Sequence, residues 1–201
     1  MFCVGLTGTI ASGKSTVTEL FKNHGAVIIS ADVAARELTQ VNQPALMAIE
    51  KHFGKSIIKP TGELDRKALR AKIFGDSEQR RWLEQLLHPL IRQLMQNKLK
   101  ECTGPYALLE IPLLKTREDY PDLDRVLLVV THSERAIERI ILRDQCSREE
   151  AEAILAIQIN EAINRVEIVD DLIENDSTIT ALAKKVEKLH QLYLQFASQK
   201  S

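Results

Sequence analysis

The chain has 201 residues, 44% of them hydrophobic, and sets 27 Lys and Arg against 28 Asp and Glu for a formal net charge of −1. That length buries about 70% of the unfolded surface and suffices for one good-sized domain, while the near-neutral balance offers no general pull toward nucleic acid or anionic membrane, so a small molecule is the expected partner. There is no run of 18 apolar residues and no room for a signal peptide, and Cys3, Cys102 and Cys146 are far apart with no ligand spacing to the histidines, so a cytoplasmic protein with reduced thiols and no zinc is expected.

Phe2 to Leu6 reads as a buried strand and leads directly into GTIASGKST, Gly8 to Thr16. The spacing Gly8-x-x-x-x-Gly13-Lys14-Ser15 is that of a phosphate-wrapping loop. Backbone N–H groups of Gly8, Thr9, Ile10, Ala11, Ser12, Gly13 and Thr16 surround phosphate oxygens, Lys14 reaches the β- and γ-phosphates, and the Ser15 hydroxyl ligates Mg²⁺. Glycine lets the main chain curl against an anion, and the helix that starts near Ser15 adds its positive end. That helix carries Val17, Leu20 and Phe21 at helical spacing and stops at Gly25. The expected guest is a nucleoside triphosphate.

Ala26 to Ser30 is the second strand, and Asp32 follows it, where the carboxyl end of a parallel strand faces the ligand crevice. A carboxylate there can accept a hydroxyl proton during attack on a γ-phosphoryl group, and can bind Mg²⁺ directly or through water. It can equally cap the helix running through Val33 to Leu38.

About 75 residues then separate the second strand from the third, too many for a bare connection. They read as helices over Ala45 to Phe53, Asp65 to Phe74, Ser77 to Leu87 and Pro89 to Leu99, with Pro60-Thr61-Gly62 as a turn. A helical insertion beside a phosphate loop either grips a second substrate or only packs. His88 before Pro89 touches substrate or marks a helix junction, since the residue preceding proline is biased toward extended geometry. Arg66 meets a substrate phosphate or pairs with Glu63 or Asp65.

Tyr106 to Ile111, Val126 to Thr131 and Asp171 to Ile173 complete five strands alternating with helical patterns, an α/β parallel sheet covered on both faces. In SERAIERIILRDQ, Arg135, Arg139 and Arg143 recur at i, i+4, a mutual repulsion that an anion would relieve; a solvated charged face is the plain alternative. Ser147-Arg148-Glu149-Glu150 is a capping box, so Asp144 to Cys146 is read as the turn of a lid. Ile179, Leu182, Val186, Leu189 and Phe196 form one stripe on the last helix and are expected to face the core. A GTP-driven switch is disfavoured: no Asp-x-x-Gly occurs, and NKLK from Asn97 does not fit a guanine-reading Asn-Lys-x-Asp.

Several segments in one order resemble the dephospho-coenzyme A kinase family over essentially the whole chain. They are LTGTIASGKST, ADVAAR with Asp32 and Arg36, LDRKALRAKIF, LLHPLI, IPLL, RIILRD, and Gln158 followed by Arg165 and VDDLIEN. The resemblance implies a three-layer P-loop NTPase fold with a helical substrate-binding insertion and a lid. It implies ATP-dependent phosphorylation of the ribose 3′-hydroxyl of dephospho-coenzyme A, with ATP and Mg²⁺, and a kinase for a nucleoside monophosphate stays as the alternative. By resemblance Asp32 is the catalytic base, Lys14 and Ser15 hold phosphates and Mg²⁺, Arg139 and Arg143 belong to the lid, and the loop at Asn175 lies beside adenine. One domain over 1–201 is expected, with a core of about 1–35 and 104–201, a coenzyme A-binding insertion of about 36–103 and a lid of about 133–166, as a monomer or weak homo-oligomer.

The chain departs from the family pattern at three places. Thr9 and Ala11 stand where glycines are usual, so a positive φ at either would cost about 1 kcal/mol and bear on nucleotide affinity. Ser30 replaces an aspartate, leaving Asp32 without an acidic neighbour. Lys115 and Thr116 replace a phenylalanine and a glutamate, and that segment is given no catalytic role.

Overall fold

The computed structural model describes residues 1–112, 114–163 and 168–200, with the backbone alone for 157–163. Contacts divide the chain into two compact units, Met1–Ile29 with Cys102–Ser201, and Ser30–Glu101.

The first unit is built on a five-stranded sheet in the order β2-β3-β1-β4-β5, with β1 (Phe2–Gly8), β2 (Val27–Ser30), β3 (Tyr106–Glu110), β4 (Arg125–Val130) and β5 (Asp171–Glu174). Its pairings are parallel: Phe2 lies opposite Tyr106, Gly8 opposite Val129, and Leu127 opposite Asp171. A strand covered on both faces needs apolar side chains at every position, and all seven residues of β1 are buried. On one face lie α1 (Lys14–Asn23) and α8 (Ile179–Lys200), which join Val17, Phe21, Leu182, Val186 and Tyr193 to Leu6, Leu108 and Leu127 in one core. The Phe21 and Tyr193 rings stack at 5.9 Å, and burying each contributes about 1.5–3 kcal/mol. The stripe expected on α8 faces this core from Leu182 onward. Ile179 does not: it opens the helix at 59% exposure, one turn short of the covering surface.

Two further helices, α6 (Ser133–Asp144) and α7 (Arg148–Ile163), pair through Ala136, Ile137, Ile140, Ala151 and Leu155. The capping box at the start of α7 forms as expected: Ser147 N–H donates to Glu150 Oε2 at 2.8 Å, and Glu150 N–H donates back to Ser147 Oγ at 3.2 Å. Gln145 makes the turn between the two helices with φ 51°.

The second unit is helical, with α2 (Ala31–Leu38), α3 (Pro44–Phe53), a short 3₁₀ turn (Lys55–Ile57), α4 (Arg66–Ile73) and α5 (Ser77–Glu101). It has its own core of Leu46, Ile49, Phe53, Ile57, Leu64 and Leu69, against which Trp82, Leu83, Leu86 and Leu87 pack. Asp65 caps α4 by accepting from Lys67 N–H at 3.0 Å and Ala68 N–H at 2.9 Å. The two helices expected on either side of His88 are one. α5 runs through Pro89 without a break, although the ring removes a donor and crowds the carbonyl of Gln85, at a cost of about 3 kcal/mol. His88 and Pro89 lie on the exposed side, where water can serve the freed carbonyl, while Leu83, Leu86, Leu87 and the buried Met95 hold both halves in line. Among the described residues, no helix is long and apolar enough to cross a membrane.

Candidate active site

The loop from Gly8 to Thr16 joins the end of β1 to α1, so a strand, a tight turn and a helix N-terminus follow one another at the sheet's carboxyl edge. The two glycines are required by space. A Cβ on Gly8 would stand 2.4 Å from the Val129 carbonyl oxygen, and one on Gly13, at φ 85°, would stand 2.2 Å from Asn175 Nδ2. Ile10, Ala11 and Gly13 amides donate to no backbone acceptor among the described residues, and the loop is pinned by Ser12 N–H donating to the Thr9 carbonyl at 3.3 Å. Free amides beside a helix N-terminus form a cradle for anionic oxygens. Ser12 Oγ is fully buried and has no hydrogen-bond partner among the described residues.

Lys14 folds back over this cradle, its Nζ donating to the carbonyls of Gly8 at 3.0 Å and Thr9 at 2.9 Å. The Ser15 and Thr16 side chains are exposed in the first turn of α1. An exposed hydroxyl one residue after that lysine suits a hard cation that keeps most of its ligands as water and phosphate. Among the described residues, no group of three or more His, Cys, Asp or Glu is gathered to hold a metal by itself. The three cysteines are free thiols, and burial, with Asp124 adding to it, pushes Cys3 up to about 11.

Of the departures from glycine, Ala11 carries the consequence. Its φ is 56°, a left-handed conformation that costs an L-residue about 1–2 kcal/mol, whereas Thr9 is not among the residues with positive φ. Two contacts offset the strain: Ile10 and Ala11 pack against the α6–α7 cluster, and the Ala11 carbonyl accepts from Arg139 Nη1 at 2.9 Å. Arg139 also donates through Nη2 to the Asn175 carbonyl at 3.1 Å. Asn175 is buried at the end of β5 and donates its own Nδ2 to the Ser12 carbonyl at 2.8 Å. Arg139 and Asn175 thus meet on the loop.

Arg143 does not join them. It grips its neighbour Asp144 through two bonds of 2.8 and 2.7 Å, and that carboxylate raises its pKa. The Asp144 carboxylate thus relieves part of the repulsion along α6, while Arg148, at the start of α7, binds Glu134 of α6 and Glu152. Gln158 falls where only backbone is described, and Arg165 lies outside the described residues.

In the second unit Asp32 is exposed in the first turn of α2. It is not the helix cap. Ser30 occupies the N-cap position, Asp32 lies two residues inside, and no side-chain capping bond forms. Arg66 pairs with neither Glu63 nor Asp65; its Nη2 donates to Thr39 Oγ1 at 2.8 Å.

A family model described as dephospho-CoA kinase matches residues 2–181. The chain belongs to the dephospho-CoA kinase family. It is 49% identical over 197 residues to a dephospho-CoA kinase of Legionella pneumophila strain Paris, covering 98% of both chains. A Vibrio cholerae dephospho-CoA kinase is 46% identical over 199 residues, again with 98% of each covered. The solved dephospho-CoA kinase from Campylobacter jejuni superposes with a TM-score of 0.69 at 29% identity, covering 99% of this chain and 98% of that one. As a member of the dephospho-CoA kinase family, the chain has the three-layer P-loop kinase fold and is a phosphotransferase that uses ATP.

Two features of the site escape the motif reading. Asp176 accepts from Thr131 Oγ1 at 2.6 Å and from His132 N–H at 2.8 Å, bonds that pull its pKa down and tie β4 to the segment after β5. Arg117 binds the Ile168 carbonyl and Asp170, fastening the loop after Leu114 to the approach of β5. Both are long-range contacts that no local spacing encodes.

Proposed function

We propose that the chain transfers the γ-phosphoryl group of ATP to the ribose 3′-hydroxyl of dephospho-coenzyme A, giving coenzyme A and ADP, the last step of coenzyme A formation. The observation that carries this reading is the loop, with its free amides, its lysine and its forced glycines, in a chain that matches the family over residues 2–181.

ATP takes the cradle through the amides of residues 8–16. Lys14 exchanges the carbonyls of Gly8 and Thr9 for phosphate oxygens. Asp32 accepts the proton of the 3′-hydroxyl as its oxygen forms a bond to the γ-phosphorus, and the bond to the bridging oxygen breaks with its electron pair leaving on ADP. Arg139 is the catalytic cation of the α6–α7 pair: it leaves the carbonyls of Ala11 and Asn175 and pairs with the transferring group. Asn175 holds the loop in shape beside the nucleotide, and Arg143 covers it once Asp144 is exchanged for phosphate. Ser15 and Asp32, the latter directly or through water, would hold Mg²⁺. Bound there, the ion neutralises charge on the phosphates.

The assignment extends to the whole of 1–201, with a core of about 1–35 and 104–201, an acceptor-gripping insertion of about 36–103 and a lid of about 133–166. We place the reaction in the cytoplasm, catalysed by a monomer or weak homo-oligomer that binds neither nucleic acid nor membrane.

ADP release measured with a panel of acceptors tests the reading. Dephospho-coenzyme A should lead the panel; strong preference for a nucleoside monophosphate would replace it with the other kinase class.

A further inference from the structure

Arg139 cannot leave the loop without orphaning the two carbonyls on which it rests, that of Ala11 at 2.9 Å and that of Asn175 at 3.1 Å. The two are not equally easy to abandon. Ala11 is partly exposed, so water can serve its oxygen, whereas Asn175 is 6% exposed, and an unserved acceptor there bears the full penalty of lost hydration. Among the described residues one further side chain is within reach of the Asn175 carbonyl. It is Thr131, just past the end of β4, with Oγ1 at 3.2 Å.

A hydroxyl has a single proton to donate. In the structure the shorter bond takes it, to Asp176 Oδ1 at 2.6 Å, while Arg139 serves the carbonyl. Asp176 also accepts from His132 N–H at 2.8 Å. The Thr131 bond first, and then that amide, hold its pKa below the ordinary carboxylate value, so it stays an ionised acceptor. With its side chain 21% exposed, Asp176 can replace the hydroxyl with water and keep the His132 N–H, a trade closed to the buried carbonyl. Turning the hydroxyl about its Cβ–Oγ1 bond redirects the proton from one acceptor to the other with the heavy atoms in place.

We infer that Thr131 is a positioning residue for Arg139: its hydroxyl turns from Asp176 to the Asn175 carbonyl as Arg139 leaves, offsetting the cost of bringing that guanidinium to the transferring phosphoryl group. The inference rests on the role proposed above for Arg139 and adds how its release is balanced. The surrounding bonds suit the exchange. Asn175 N–H donates to the Val130 carbonyl at 2.8 Å, which keeps Asn175 beside the residue preceding Thr131. Its Nδ2 holds the Ser12 carbonyl at 2.8 Å, so the loop keeps a support after the arginine has gone. The residue type also fits, because a threonine supplies one redirectable donor and no charge that would compete for phosphate.

The test is a double-mutant cycle in the full chain, with ATP and dephospho-coenzyme A as substrates. Rates are expressed per ATP-binding site counted by titration, so that a partly folded preparation does not enter. Thr131→Val removes the donor at nearly constant shape and should lower kcat/KM for ATP by roughly tenfold or more where Arg139 is present. In the slower Arg139→Met chain Thr131 serves the carbonyl in ground and transition state alike, so the same substitution should change kcat/KM less than about twofold. Thr131→Ser restores the hydroxyl and should return to within about threefold of wild type. Thr131→Ala, which leaves room for a water, should show the same pattern at about threefold and carries the test if the valine variant does not fold. Equal losses in both backgrounds would make Thr131 a structural residue and overturn the inference, as would wild-type kcat/KM in Thr131→Val. Wild-type kcat/KM in Arg139→Met would overturn the role of Arg139 itself, and the inference with it.

Discussion

The phosphate loop and the cleft of the helical unit lined by Arg36, Thr39, Lys59, Glu63, Asp65 and Arg66 both hold cations, yet they satisfy them in opposite ways. In the loop every cation rests on main-chain oxygen: Lys14 on Gly8 and Thr9, Arg139 on Ala11 and Asn175. In the cleft, Arg66 rests on one threonine hydroxyl and Arg36 lies close enough to disfavour its charge. Carbonyl oxygens are stand-ins for phosphate oxygens, so the loop is kept in its working shape by its own backbone. The cleft sets Arg36, Lys59 and Arg66 beside Glu63 and Asp65 and fixes Arg66 through a side chain. A cradle held by its own main chain is preformed, whereas a cation held by one hydroxyl is free to exchange it.

Substitutions that break one region without the other separate these two modes. The largest effect is expected from Asp32→Asn: turnover falls about 10²–10⁴-fold, the range for loss of a general base, while ATP affinity, measured by titration, stays within twofold. Near-normal turnover would reduce Asp32 to an acidic residue favouring the helix N-terminus. Next comes Gly13→Ala. Its Cβ meets Asn175 Nδ2 at 2.2 Å in a backbone of φ 85°, so KM for ATP should rise at least tenfold, by about 1.4 kcal/mol or more, and binding of dephospho-coenzyme A should not change.

Asn175→Ala removes the donor to the buried Ser12 carbonyl. A loss of about 1–3 kcal/mol is expected, read as a melting temperature lowered by about 2–4 °C per kcal/mol together with a several-fold rise in KM for ATP. A stable variant with normal KM would show that the loop holds its shape unaided. Ala11→Gly is expected to be nearly neutral: relief of about 1 kcal/mol of left-handed strain is set against loss of a methyl worth about 0.8 kcal/mol in the α6–α7 cluster. A melting temperature shifted by more than about 4 °C in either direction, the equivalent of about 1 kcal/mol, would sink that balance.

The smallest effect concerns pH. Burial, then the neighbouring His24, hold His190 below its ordinary 6.5, with Glu187 opposing and Tyr106 Oη 2.8 Å from Nδ1. The unfolded chain therefore binds the extra proton first. Stability present above pH 6.5 is lost as pH falls below that value and through the lower folded pKa. His190→Gln should be less stable throughout, because the Tyr106 hydroxyl loses its partner, but should show a flatter dependence of melting temperature on pH below neutrality. An unaltered slope would assign the acid sensitivity to other groups.

The five strands and the loop were legible because each is a local pattern. A parallel strand covered on both faces is largely apolar, as β1, β3 and β4 are, and a phosphate cradle must have glycine where a Cβ would strike Val129 or Asn175. Pro89 misled for the same reason: its local effect is to break a helix, and only the apolar faces packed on both sides of it keep α5 whole. The arginine stripe of α6 was visible as a row, but not how it divides. Arg139 turns to main-chain carbonyls that only folding brings to α6, and Arg143 to the carboxylate of the next residue, Asp144, so a shared spacing did not give a shared fate.

By itself the sequence determined the order of strands and helices, the loop that wraps a polyphosphate, and a resemblance dense enough to name the family, because periodicity, glycine placement and capping act between residues close in the chain. Tertiary structure alone decided that Asn175 props the loop from 163 residues away, that Ala11 can be tolerated at a positive φ by packing on α6 and α7, and that Arg66 turns to the Thr39 hydroxyl rather than to Glu63 or Asp65. Such contacts depend on which surfaces come together after folding, and the energy of a charge depends on the groups and the water around it, which neighbouring letters do not record.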